Sequence, residues 1–205
     1  MIITYYGLAC FKLQSGNLVL ATDPFSKDSG LVPPRFQADV VLSTQASPFH
    51  ANTETLTGSP FIITTPGEYE IKGISIEGVP VNSAAYVFEW DGIRFCHLGA
   101  LSKKSFTEEI KEVIGTPDVL FVPVGGGESL DAEEAVDTIN QIEPRIVIPM
   151  YYQTKGLRAP TLSGPELFLK EFGSSATPED KFVFKQKDVP QEETKLVFLK
   201  AATEQ

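Results

Sequence analysis

Two histidines are the only imidazoles in this chain of 205 residues, and both stand where site residues tend to gather. His50 lies in the polar loop Ser43-Thr44-Gln45-Ala46-Ser47-Pro48-Phe49-His50-Ala51-Asn52, which follows the apolar run Val40-Val41-Leu42. His97 ends a second apolar run in Phe95-Cys96-His97-Leu98-Gly99-Ala100. Loops that leave buried strands are where α/β folds collect binding and catalytic groups. An imidazole there serves as a metal ligand, as an acid or base, or as a satisfied core group. Asp23, in Thr22-Asp23-Pro24-Phe25, supplies a carboxylate that would hydrogen-bond His50 or form a general-base pair with it. The two cysteines, Cys10 and Cys96, lie in strand-like segments and form no Cys-x-x-Cys pair, so a thiolate zinc site is not expected. Buried free thiols are the expected reading, and a disulfide between them stays open.

The elements that must position these groups change character along the chain. Residues 1–6, 10–15 and 17–22 read as strands, with a Ser15-Gly16-Asn17 turn, followed by an irregular loop over 23–38. Strands follow at 39–43, 60–64, 68–72, 74–79, 84–90 and 92–97, with Asp91-Gly92 as a hairpin turn. The second half alternates strand and helix. Ser105-Phe106-Thr107-Glu108 reads as a capping box for a helix to about Ile114. Asp131 caps a second helix that Pro144 stops, and Ser163-Gly164-Pro165-Glu166 opens a third. Strands are expected at 118–122, 145–149, 181–185 and 195–200. Gly125-Gly126-Gly127 lacks the Lys-Ser/Thr of a phosphate loop and reads as a tight turn, and there is no Gly-x-Ser-x-Gly elbow. A meander followed by βαβ units fits two packed sheets covered by helices, in one domain over 1–205.

At this point the chain resembles the metallo-β-lactamase superfamily, in particular a small bacterial branch of metal-dependent hydrolases related to the UlaG lactonases. That family's loop reads Thr-His-x-His-x-Asp-His. Thr44 matches it, the ligand histidines fall on Gln45 and Ser47, the aspartate on Phe49, and the last histidine on His50. The His-Leu-Gly-Asp segment falls on His97-Leu98-Gly99-Ala100, with Ala100 at the bridging aspartate. The final ligand histidine falls on Tyr151 of Ile148-Pro149-Met150-Tyr151-Tyr152. Gly7-Leu8-Ala9-Cys10-Phe11 matches Gly-His-Ala-Cys-Phe with leucine for histidine. Thr22-Asp23-Pro24-Phe25, Pro66-Gly67-Glu68-Tyr69-Glu70 and Val122-Pro123-Val124-Gly125-Gly126-Gly127 stand nearly as the branch has them. The resemblance implies a four-layer αβ/βα sandwich, α/β in class, of two mixed sheets flanked by helices. It places Asp23, Gln45, Ser47, Phe49, Glu68, Ala100 and Tyr151 around the position of the metal centre.

The ligand positions do not carry the family's chemistry. A hydrolytic zinc site needs about three protein ligands and an open position for water. Gln45, Ser47 and Tyr151 are poor zinc ligands, and Phe49 and Ala100 cannot coordinate. The leading expectation is a protein that has lost the zinc centre, holds no cofactor, and acts by binding a small molecule or a protein, or by assembly into homo-oligomers. The second is a hydrolase with zinc or manganese on a mononuclear site of His50 and His97. The third is a metal-independent enzyme using His50 with Asp23. A net charge of −10 argues against nucleic acid, because phosphate binding needs concentrated Lys and Arg. No apolar run approaches the roughly 20 residues of a membrane span, and the N-terminus lacks the pattern of a signal peptide, so a cytoplasmic location is expected.

Overall fold

Short apolar runs with glycine turns between them cannot bury both faces alone, so they pair into sheets. The computed structural model describes residues 1–82, 84–158 and 162–202. The first sheet is built from β1 (Ile2–Gly7), β2 (Cys10–Ser15), β3 (Leu18–Thr22), β4 (Val40–Leu42), β5 (Phe61–Ile63) and the late strand β12 (Phe182–Val183). Its order is β12-β1-β2-β3-β4-β5. Strands β1 to β3 form an antiparallel meander, and β3, β4 and β5 are parallel.

The second sheet starts as a meander of β6 (Gly67–Ile71), β7 (Ile74–Pro80), β8 (Ala84–Trp90) and β9 (Ile93–His97). It continues in parallel through β10 (Val119–Pro123), β11 (Ile146–Met150) and β13 (Lys195–Leu196). Every residue of β10 and β11 is buried, as expected for parallel strands covered on both faces. Helices α1 (Glu108–Ile114), α2 (Ala132–Ile142) and α3 (Pro165–Glu171) place Ile114, Ala135, Ile139, Ile142 and Phe168 in the same core as these strands. Aromatic rings join the sheets, with Phe11 of β2 at 4.5 Å from Phe121 of β10. This is the αβ/βα sandwich expected from the sequence. The outer face of the first sheet is covered mainly by irregular chain, as where Phe36 and Leu56 pack on Ala21 and Val41.

Element boundaries differ from the sequence reading in two places. The cap of α1 is Thr107, whose hydroxyl accepts the Ile110 N–H, while Ser105 lies in a preceding 3-10 turn. Both residues suit an N-cap, and Thr107 is the one from which the helical bonding starts, its carbonyl accepting the Lys111 N–H at 2.9 Å. The last strand is only Lys195–Leu196: the Val197 N–H still bonds the Val147 carbonyl of β11 at 2.9 Å, but beyond it the chain turns to Glu179, whose carbonyl accepts the Lys200 N–H. Asp131 caps α2 as expected, in a reciprocal capping box with Glu134. Replacing Asp131 by alanine should lower the unfolding free energy by about 1 kcal/mol in urea titrations.

Both cysteines are free and buried. Burial pushes the Cys96 thiol up from 9.0 to about 12, and raises Cys10 as well, with the Asp23 carboxylate adding to it. Both are therefore neutral and inert near pH 7. A thiol whose folded pKa is raised stabilises the fold below its unfolded value and loses that contribution as pH climbs through the folded one. Stability should therefore decline from about pH 9 upward, and a thiol reagent should label either cysteine only on unfolding.

Candidate functional site

Parallel strands end at the same edge, and four of their C-terminal ends meet here. Asp23 follows β3, Thr44 and the His50 loop follow β4, His97 closes β9, and Tyr151 follows β11. Asp23 is completely buried. Its Oδ1 accepts the Thr44 N–H at 2.7 Å and its Oδ2 accepts the Thr44 hydroxyl at 2.8 Å. Its own N–H donates to the Leu42 carbonyl at 2.9 Å. A buried carboxylate needs such donors, since desolvation without them is prohibitive. Gly99 makes room for this clamp: a Cβ there would fall 2.8 Å from the Thr44 side chain, and its φ is +56°.

His97 is fully engaged with backbone. Its Nε2–H donates to the Ala9 carbonyl at 2.9 Å, and Nδ1 accepts the Gly99 N–H at 3.2 Å. These partners assign the neutral Nε2–H tautomer. Asp23 Oδ2 stands 4.0 Å from Nδ1, but that nitrogen carries no proton, so this is proximity and not an ion pair. Burial lowers the His97 pKa, and the Asp23 carboxylate opposes that shift. The Ala9 carbonyl also accepts the Thr22 hydroxyl at 2.9 Å.

His50 is equally buried and less satisfied. Its Nδ1 lies 3.4 Å from Asp23 Oδ2, an ion-pair distance without hydrogen-bond geometry, and it has no hydrogen-bond partner among the described residues. The Tyr151 ring stacks over the imidazole at 5.6 Å with 28° between planes. Tyr151 joins Leu8, Phe25, Phe49 and Leu157 in an apolar cluster around Cys10. Burial raises the Tyr151 pKa, with Asp23 and then Glu128 adding to it. The backbone is strained at three non-glycine residues of the site, with φ of 53° at Leu8, 39° at Asp23 and 55° at Tyr151. The Tyr151 N–H donates to the Leu8 carbonyl at 2.7 Å, tying two of them together.

The structure thus brings Asp23, His50, His97, Phe49 and Tyr151 together. Gln45 and Ser47 are half-buried and shape the loop. The Ser47 N–H bonds the Gln45 carbonyl at 2.9 Å, and the Ser47 hydroxyl accepts the Phe49 N–H at 3.3 Å. Ala100 is buried, with its carbonyl accepting the Asn82 amide at 3.1 Å. Glu68 is a correction: it does not line the site. It is exposed on β6, at the far edge of the second sheet, paired with Glu77 of β7. Side chains alternate along a strand, and Tyr69 next to it packs on the core, which turns Glu68 to solvent. Sequence reasoning missed the Ala9 carbonyl, since a backbone acceptor leaves no residue-type signal, and it noted Leu8 as a motif departure without counting it among the site residues.

The donors present do not fit a zinc centre of the family's kind. His97 would have to break a backbone bond to offer a lone pair. Asp23 already holds Thr44. Among the described residues no group of three or more His, Cys, Asp or Glu side chains is arranged to hold a metal ion.

The two-sheet architecture and the strand-end cluster are those of one fold family. A family profile described as "Beta-lactamase superfamily domain" matches residues 2–151, and the chain belongs to the metallo-β-lactamase superfamily. It is similar to the solved structure of a superfamily member from Thermotoga maritima, with 34% identity, a TM-score of 0.83, and coverage of 97% of this chain and 98% of the other. A "UPF0173 metal-dependent hydrolase" of Thermococcus onnurineus is 26% identical over 212 residues, covering 85% of this chain and 93% of that one. The fold is shared with a metallo hydrolase of Ignicoccus hospitalis, at 20% identity and a TM-score of 0.66, covering 90% and 99%. Curated relatives such as those of Thermococcus, Pyrococcus and Thermoplasma are archaeal, and the Thermotoga structure is from a bacterium, so chains of this kind occur in both.

Two outcomes follow from the Asp23–Thr44 clamp and the neutral imidazole. Thr44→Val should cost about 2 kcal/mol of unfolding free energy, the scale of a hydrogen bond to a buried charge. A histidine with a lowered folded pKa stabilises the protein above its unfolded value, near 6.5, and that contribution is lost as pH falls through the folded one. Nitrogen-resolved NMR of the rings should therefore show His97 still neutral at pH 6.5, with Nε2 protonated.

Proposed function

We propose that this member of the metallo-β-lactamase superfamily acts by binding or assembly and not as a family-type zinc hydrolase. The observation that carries this reading is the state of His97, whose two ring nitrogens both serve backbone groups. The apolar cluster of Leu8, Phe49 and Tyr151 supports it, since hydrolysis needs water where these side chains pack. The protein works as a single domain over 1–205, in the cytoplasm, with buried reduced thiols. Its partner is a small molecule, another protein or a second copy of the chain, and not nucleic acid. Hydrolase names among the relatives describe those proteins, and fold alone does not carry activity across.

One observation favours a second reading. The orphaned Nδ1 of His50 beside Asp23 is a buried lone pair or N–H without a partner, and a zinc or manganese ion held by His50 and His97 would engage it. Metal content decides between the two. Protein purified without chelator, loaded with excess zinc or manganese and desalted, should retain well below one metal per chain. Retention of about one ion per chain, the stoichiometry of a mononuclear site, lost in His50→Ala or His97→Ala, would overturn the binding reading.

A further inference from the structure

The open edge of the second sheet is a strand whose backbone is half unused. β6 pairs only with β7 and ends the strand order of its sheet. The hairpin between them turns on Lys72 and Gly73, both at positive φ. A two-residue turn of this kind makes Ile71 and Ile74 a hydrogen-bonded pair. The bonding alternates from there, so Tyr69 and Gly67 also face β7. Glu68 and Glu70 therefore turn their N–H and carbonyl groups to the free side, where no described residue bonds them. Unpaired strand backbone is a template for an added strand.

The side chains of the same two residues decide which strand it suits. Glu68 and Glu70 are exposed and share a face with Glu77, which stands directly across from Glu68. Like charges opposed in this way repel. Among the described residues none of the three carboxylates is in an ion pair. Lys72, at the hairpin tip, is held by Asp39, and Arg94 of β9 by Glu89. The opposite face of β6 carries Tyr69 and Ile71, which pack on the core. A second copy of a chain with a net charge of −10 would bring the same acids together on this edge, so charge favours a basic partner over self-pairing.

We propose that β6 is a docking edge for an extended segment of another protein, with Lys or Arg at alternate positions and apolar residues between them. The added strand bonds the Glu68 and Glu70 backbone, sets its basic side chains beside Glu68 and Glu70, and lays its apolar ones on the side of Tyr69 and Ile71. β6 shares no residue with the Asp23–His50–His97 cluster, so peptide binding here and metal content there succeed or fail separately.

The probe is a capped peptide alternating lysine and valine, added to the full chain, with a control of the same composition whose lysines and valines stand in separate blocks. The alternating peptide should bind saturably, more weakly as potassium chloride is added, and should slow amide exchange at Glu68 and Glu70 about tenfold or more. Glu70→Gln keeps the N–H and should weaken binding roughly threefold, the worth of an exposed ion pair. Glu70→Pro removes only a free-side donor, a placement that edge strands tolerate, and should weaken it about tenfold or more. Equal affinity for the block peptide, unchanged exchange at Glu68 and Glu70, or undiminished binding by Glu70→Pro would each overturn the proposal. So would protection of those amides that rises with protein concentration in the free chain, which would assign the edge to a second copy.

Discussion

A carboxylate with no exposed surface must be satisfied from within, and Asp23 sets that demand at the centre of this protein. Its donors come from Thr44, in the next strand-end loop, through one backbone and one side-chain bond. Meeting that demand requires Gly99 without a Cβ and a positive φ at Asp23 itself. The strand ends of β3 and β4 are therefore tied together at a buried carboxylate, and the β9 end of the second sheet packs against that clamp through Gly99. Removing one partner of such a charge costs more than the bond itself, because the remaining group stays desolvated.

Around that point the chain uses backbone and rings where metal ligands would stand in the fold. His97 crosses from the second sheet to the Ala9 carbonyl of the first, and Tyr86 crosses in the same sense to the Ser43 carbonyl at 3.0 Å. Tyr151 covers His50 with its ring, and its backbone holds the turn of Leu8. The strained φ values at Leu8, Asp23 and Tyr151 belong to strand-end turns that the packing of both sheets over-determines. A side chain at such a position can change type while the turn persists.

Among the described residues two buried side-chain atoms lack a hydrogen-bond partner, His50 Nδ1 and Thr154 Oγ1. One faces the Asp23 carboxylate under an aromatic cover. The other lies in the loop that follows Tyr151, where the Leu157 N–H donates to the Thr154 carbonyl.

Much of the fold was legible in the sequence. Apolar runs of strand type, the Asp91-Gly92 turn and the Asp131 cap are local signals, and local backbone preference is enough to express them. The two histidines were legible as candidates because they stand at the ends of apolar runs, whereas the placing of Tyr151 beside them came from the resemblance to the superfamily's motifs. Other features depend on partners distant in sequence. Whether Ser105 or Thr107 caps α1 is settled by where that helix packs. Glu68 turns to solvent because Tyr69 beside it has a core to meet. The state of His97 depends on Ala9, 88 residues away. Residue types and periodicity determined the elements and the candidate groups. Only tertiary packing decided which lone pairs and donors remained free, because hydrogen-bond satisfaction is a property of what meets across the sheets.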